Sequence, residues 1–185
     1  MANVIEVPQK GGYTYQDYAK LPEGAPYQLI GGNLVMTAAP STYHQIISAS
    51  LMLTLSNFVH EQQLGVVLYA PIDVYFEETE TYQPDIIFIS RERLNMIEEE
   101  RIKGAPDLVV EILSPTTAYY DLKKKFKVYE KHGVEEYWVV DPGDRSIAVY
   151  ENREGKLALV QEVTRKGKVQ SKVLSGFELE VETIW

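Results

Sequence analysis

Two acidic residues stand where acids are costly. Asp85 heads the apolar run Ile86-Ile87-Phe88-Ile89, and Glu111 interrupts Leu108-Val109-Val110-Glu111-Ile112-Leu113. Strands this apolar are covered on both faces, and an ionised carboxylate inside one needs a partner. Strand alternation puts Asp107, Val109, Glu111 and Leu113 on one face. If the two runs pair antiparallel, the start of the first lies beside the end of the second, and Asp85 meets Glu111. Asp107 falls about 13 Å from Glu111 along its own strand. One metal ion cannot use both of those, because carboxylate–metal distances are ~2.0–2.6 Å. Asp85 with Glu111 is the better pair. A hard divalent cation such as magnesium takes few carboxylates, several waters and a phosphate oxygen, which two acids suit. A plainer alternative stays open at this point: Asp85 opens a strand and Glu111 pairs with a cation.

The helical stretch after Glu111 supplies a lysine. Leu122, Phe126 and Tyr129 form an apolar seam at helical spacing. At roughly 100° per residue, Lys125 lies about 60° from Leu122, at the edge of that seam. Lys123 and Lys127 are well round the side, and Lys124 and Lys131 are near the opposite face. Lys125 is therefore the one that leans over the sheet towards Glu111. From Thr117 to Gly133 five lysines stand against Asp121 and Glu130, a local excess of three positive charges. Such a run is ordinarily a solvated face, but beside two carboxylates it suits contact with a phosphodiester backbone.

Other chemistries are excluded by what the chain lacks. It has no cysteine, which removes disulfides, thiolate metal sites and cysteine nucleophiles. No G-x-x-x-x-G-K-[ST] loop or G-x-S-x-G elbow is present. His44, His60 and His132 are isolated, without metal-ligand spacing.

The elements that must hold these residues follow from pattern. The 185 residues suit one domain, 1–185, with 1–12 as a loose arm. Thr14 to Leu21 reads as a short helix with Thr14 as N-cap and Asp17 in the capping-box position. Gly31-Gly32 joins Tyr27–Ile30 to Asn33–Met36 as a hairpin. A long helix spans Thr42 to Gln63, with Ile47, Leu51, Leu55, Phe58 and Gln62 at helical spacing. Strands are expected over Val66–Tyr69, Ile72–Phe76, Asp85–Ile89, Asp107–Leu113 and Glu136–Val140, and a charged connector over Arg91–Gly104. A helix runs from about Thr117 to His132, stopped by Gly133. Short strands at Ile147–Tyr150, Leu157–Gln161 and Phe177–Val181 make the C-terminal third β-rich. The fold class is α/β with a mixed central sheet flanked by helices. The net charge of −9 argues against coating nucleic acid by bulk electrostatics but leaves room for a local basic strip. No signal-peptide pattern and no apolar run of ~20 residues is seen, so a cytoplasmic protein without a membrane partner is expected.

These residues resemble a known family. Gln83-Pro84-Asp85, the run Gly104 to Pro115, Asp121-Leu122 with Lys125 and Tyr129, and the run Gly133 to Pro142 keep its order and spacing. Tyr27-Gln28-Leu29-Ile30 and His44-Gln45 extend the likeness over nearly the whole chain. They are similar to the Uma-type restriction endonucleases of bacteria, within the PD-(D/E)XK nuclease superfamily. The resemblance implies a restriction endonuclease-like core and a phosphodiesterase site that uses Mg2+ or Mn2+, with DNA as substrate. It implies Asp85 and Glu111 as metal ligands and Lys125 as the third catalytic residue. Leu113 holds the usual lysine position, so the lysine comes from the next helix. Gln28, His44 and Lys124 become candidate substrate or supporting contacts, and a homodimer follows from one active site per strand.

One stretch departs from the family, which commonly reads Tyr-Glu-Leu-Ile-Asp-Gly-Glu-Leu where this chain has Tyr27 to Leu34. Three acids are missing, and Gln28 matches one that assists the metal in relatives. A neutral amide still hydrogen-bonds water. The lost acids motivate a second reading, a catalytically weak module for binding or assembly that keeps the nuclease fold.

Overall fold

The computed structural model describes residues 12–22, 24–115 and 118–185. The expected arm, apart from residue 12, and the start of the helix at Thr117 lie outside them.

Helix α1 is Tyr15–Tyr18, capped by Thr14, whose backbone N–H and hydroxyl both donate to Asp17 Oδ2 at 3.1 Å. It is shorter than expected: Ala19 and Lys20 form a turn instead of continuing it. The hairpin β1 (Tyr27–Ile30) and β2 (Asn33–Met36) forms as expected. Gly31 and Gly32 take φ of 57° and 70°, the two left-handed residues that a type I′ turn demands.

Helix α2 is Thr42–Glu61, with the Ser41 hydroxyl accepting from His44 N. Its buried stripe is His44, Ile47, Leu51, Leu55 and Val59. Val59 replaces the expected Phe58 and Gln62, because the stripe advances by fours. Phe58 is half-buried against the Phe177 ring, and Gln62 is exposed.

The larger sheet has six strands. They are β3 (Gly65–Tyr69), β6 (Ile86–Ser90), β8 (Leu108–Ile112), β9 (Glu136–Asp141), β10 (Ser146–Arg153) and β11 (Lys156–Thr164). Their order is β11-β10-β9-β8-β6-β3, and only β8 and β9 run parallel. Strands β4 (Val74–Glu77), β5 (Glu80–Tyr82) and β7 (Ile102–Lys103) extend the hairpin into a second sheet, ordered β2-β1-β5-β4-β7. The charged connector holds a 3-10 helix, Arg91–Met96, as well as β7. Strands β12 (Lys168–Gln170) and β13 (Glu178–Glu180) form a small ribbon near the C-terminus.

Strand β8 divides the interior. Leu108, Val110 and Ile112 face a cluster with α2 and the C-terminal segment, while Val109 faces another with Tyr129, Val134 and Tyr137. Strands β6 and β8 are antiparallel, with Ile86 opposite Val110 and Ile87 opposite Val109. Carried one residue further, that register sets Asp85 opposite Glu111, the pairing expected from sequence.

The helix after β8 differs from expectation. It opens as a π-helical turn, Tyr120–Lys125, and continues as α3, Phe126–His132, ended by a left-handed Gly133. A π turn takes in one residue more than an α turn, so the buried face slips by one. Leu122, expected in the seam, is 40% exposed, and Asp121 is buried in its place.

Glu136 is a buried carboxylate with no ion-pair partner among the described residues. Its Oε1 accepts from the Trp138 indole at 2.6 Å, and its Oε2 accepts from Lys172 N and Val173 N at 2.6 and 3.2 Å. These bonds fasten the C-terminal segment to β9. Glu136→Ala would strand three donors, and we expect a loss of roughly 3 kcal/mol in urea unfolding. A change under ~1 kcal/mol would show that the segment holds without it.

Candidate active site

Asp85 is placed by backbone. At the head of β6, its Oδ2 accepts from Ile112 N at 2.7 Å, across the strand pairing. Its Oδ1 lies 3.4 Å from His44 Nε2, which also lies 3.1 Å from the Ile112 carbonyl oxygen. Both neighbours of that nitrogen are acceptors, so Nε2 carries the proton. The Asp85 hydrogen bond raises the His44 pKa against the effect of burial. Helix α2 thus sets its first turn on the acid through His44.

Glu111 is buried on the opposite face of β8 from α2. Its Oε1 accepts from Lys125 Nζ at 2.9 Å and from the Tyr129 hydroxyl. Lys125 Nζ is also 2.9 Å from Asp121 Oδ1, a second buried ion pair. Burial pushes the Glu111 pKa up to about 8; Lys125 works against the rise, and Asp121 and Asp85 add to it. Burial also opposes charge on Lys125, but Glu111 and Asp121 override it and hold the ammonium above the ordinary lysine range. Burial raises the Tyr129 phenol well above its usual value, so it stays a neutral donor. Ring contacts with Phe76, Tyr82 and Tyr137 fix that phenol in place.

Gln28 reaches the same place from β1. It is buried, and its Oε1 accepts from Gln83 N at 2.9 Å. Gln83 Nε2 donates to Asp73 Oδ1 at 2.9 Å, and the Tyr18 hydroxyl donates to the same oxygen at 2.8 Å. This chain ties α1 and the hairpin to the residue two before Asp85. Gln28, Asp121 and Lys125 line one cavity of about 220 Å³.

Five of the six residues singled out in the sequence therefore converge: Asp85, Glu111, Lys125, His44 and Gln28. Lys124 does not; it is exposed, with Lys123 and Lys127, on the solvent side of the helix. Asp107 accepts from Arg93 Nη1 and Ser90 N at 2.7 Å and holds the connector instead. Sequence reasoning missed Asp121 and the polar role of Tyr129. Both sit four residues from Lys125, a spacing that signals a shared helical face.

The donor set is one of hard oxygens. Asp85, Glu111 and the Ile112 carbonyl suit a divalent ion such as Mg2+ that keeps several waters. Glu111 and Asp121 both pair with Lys125, and Asp85 lies across the strand register from Glu111, so added positive charge fits the site. Among the described residues no group of three or more His, Asp or Glu side chains forms a cage for a metal ion. An ion held here rests on two carboxylates, a carbonyl and water.

The raised Glu111 pKa has a sign that can be checked. The folded state keeps a proton that the unfolded chain releases near the ordinary value of 4.5. Its stabilising effect is complete below that pH and is lost as pH rises to about 8. Without added metal, Glu111→Gln should gain on wild type by roughly 4 kcal/mol between pH 4.5 and 8.5 in urea titrations. A difference flat with pH would place the glutamate in an ordinary, ionised state.

Comparison with known proteins gives the site a context. No curated protein matches the chain. A solved structure described as "a putative nuclease belonging to DUF820 from Anabaena variabilis" superposes with a TM-score of 0.76 at 22% identity. The match covers 92% of this chain and 96% of that one, and at this identity it is a likeness of fold. The sequence model of Uma2, described as "Putative restriction endonuclease", matches residues 15–182. That span contains every residue of the converging cluster, and the chain belongs to the Uma2 family.

Proposed function

We propose that this protein is a divalent-metal-dependent endonuclease that hydrolyses phosphodiester bonds in DNA, with Asp85, Glu111 and Lys125 at its centre. The observation that carries this reading is the buried contact of Lys125 with Glu111, beside Asp85. It supplies from a helix the cation that Leu113 cannot supply from the strand. The family description supports a nuclease. Magnesium or manganese, held by Asp85, Glu111 and the Ile112 carbonyl, would lower the pKa of water and offset phosphate charge.

The protein's own groups have distinct tasks. Lys125 stays protonated at neutral pH and presents an ammonium to the attacking water or to charge developing on phosphate. Tyr129 and Asp121 hold that ammonium and its glutamate in place. His44 and the Ile112 amide fix the two oxygens of Asp85. The exposed lysines 123, 124 and 127 offer contacts for the phosphate backbone. Two copies, one per strand, would cut a duplex.

One observation favours a weakly active binding module: Lys125 and Tyr129 already occupy Glu111 Oε1, and Gln28 adds no charge.

Cleavage of supercoiled and linear DNA with Mn2+ or Mg2+ separates the two. We expect nicking that EDTA abolishes and that Asp85→Ala or Glu111→Ala each lowers by roughly 10²-fold or more. Intact DNA under all these conditions would leave the binding module standing. Replacing Lys123, Lys124 and Lys127 by alanine should flatten the salt dependence of duplex binding by about 0.9 per lysine in log K against log salt. An unchanged slope would take the helix out of the interface.

A further inference from the structure

The cavity beside Lys125 is lined by the β1–β2 hairpin with the residues after it and by the π turn. Ile30, Val35 and Ala38 make its walls apolar, and the Tyr120 ring gives it a flat aromatic side. Asp121 and Lys125 stand at its inner end. Asp121 is 2% exposed, and its Oδ1 is ion-paired with Lys125 Nζ at 2.9 Å. A carboxylate oxygen carries a second lone pair, so Oδ1 can accept from one further donor. Gln28 has committed its oxygen to Gln83 N and keeps an amide group with two N–H donors. The cavity therefore combines an acceptor, a donor and a stacking surface. At about 220 Å³ it is smaller than the ~300 Å³ where pockets for drug-sized ligands begin, and it suits a single planar ring system.

Its position is as telling as its chemistry. Lys125 Nζ is 2.9 Å from both Asp121 Oδ1 and Glu111 Oε1, so one side chain separates the cavity from the acids. A phosphodiester lying on Asp85 and Glu111 carries its own sugar and base within that reach.

We propose that this cavity receives an unstacked nucleobase from the strand being cut, adjacent to the scissile phosphate. The inference rests on the nuclease reading and adds a feature of the substrate. The base enters with Tyr120 against its face. Its N–H donates to Asp121 Oδ1, and its carbonyl accepts from the Gln28 amide. Guanine and thymine present an N–H beside a carbonyl; adenine and cytosine do not.

Titration of the full-length protein with deoxynucleoside 5′-monophosphates and with 2-deoxyribose 5-phosphate, by calorimetry or NMR, tests this without cleavage. We expect dGMP and dTMP to bind at least ~10-fold tighter than the base-less sugar phosphate. Ala38→Trp, at an exposed position on the cavity wall, should abolish that difference while leaving sugar phosphate binding unchanged. Tyr120→Leu should weaken the nucleotides several-fold and not the sugar phosphate. Equal affinity for nucleotides and sugar phosphate, or nucleotide binding undiminished by Ala38→Trp, would overturn the proposal. Tight dAMP and dCMP binding would overturn the hydrogen-bond assignment. DNA cleavage measured alongside keeps the two readings apart. Cleavage without base-dependent binding sinks the pocket alone, whereas base-dependent binding without cleavage sinks the nuclease reading and the placement beside a scissile phosphate, and leaves the base pocket itself.

Discussion

A carboxylate in the middle of a buried strand has to be answered by groups from another element, and in this protein Glu111 sets that demand. It is answered by Lys125 and Tyr129, both from the helix that packs on the same face of β8. Much of the local architecture is what this answer requires. The π turn brings Asp121 inside as a second partner for the lysine, which would otherwise carry its charge into an apolar layer with one counter-ion. The rings of Phe76, Tyr82 and Tyr137 keep the Tyr129 hydroxyl on target. An isolated buried ion pair adds little stability and is often outperformed by apolar side chains. The cluster fixes the helix to the strand in one register.

Asp85 is held by different means, with backbone and α2 replacing the lysine. The strand pairing gives it Ile112 N, and α2 gives it His44. The two acids therefore sit on neighbouring strands, Asp85 at the head of β6 tied to α2 and Glu111 on β8 tied to α3. The hairpin joins from a third direction through Gln28 and Gln83. A site assembled from three sources has neighbouring charges without having them all on one rigid element, and the hydrogen-bond chain from Tyr18 through Asp73 to Gln28 keeps them aligned.

Much of this was legible in the sequence, for reasons of periodicity. Strands β6 and β8 announce themselves by apolar runs broken by one acid each, and antiparallel pairing then brings Asp85 to Glu111. The hairpin declares itself through Gly31-Gly32, and the end of α3 through Gly133. What periodicity cannot reveal is a change in period. The π turn has the composition of an ordinary helix, so extrapolating 3.6 residues per turn put Leu122 inside and left Asp121 outside. The short strands β5, β7 and β12 have two or three residues each, too few to show any alternation.

The lone parallel pair in the six-stranded sheet has a consequence for how such a site can vary. Strands β8 and β9 point the same way, so the chain between them cannot turn back tightly and has to leave the sheet, cross one face and return. A right-handed crossover fixes which face that is. Any cation on the inner side of this connection is delivered over the end of β8 by topology alone. Position 113 is thereby released from carrying charge, and Leu113 takes its place among the apolar residues packed beside Val109. The ammonium therefore reaches Glu111 from the crossover helix, and the strand itself stays apolar at position 113.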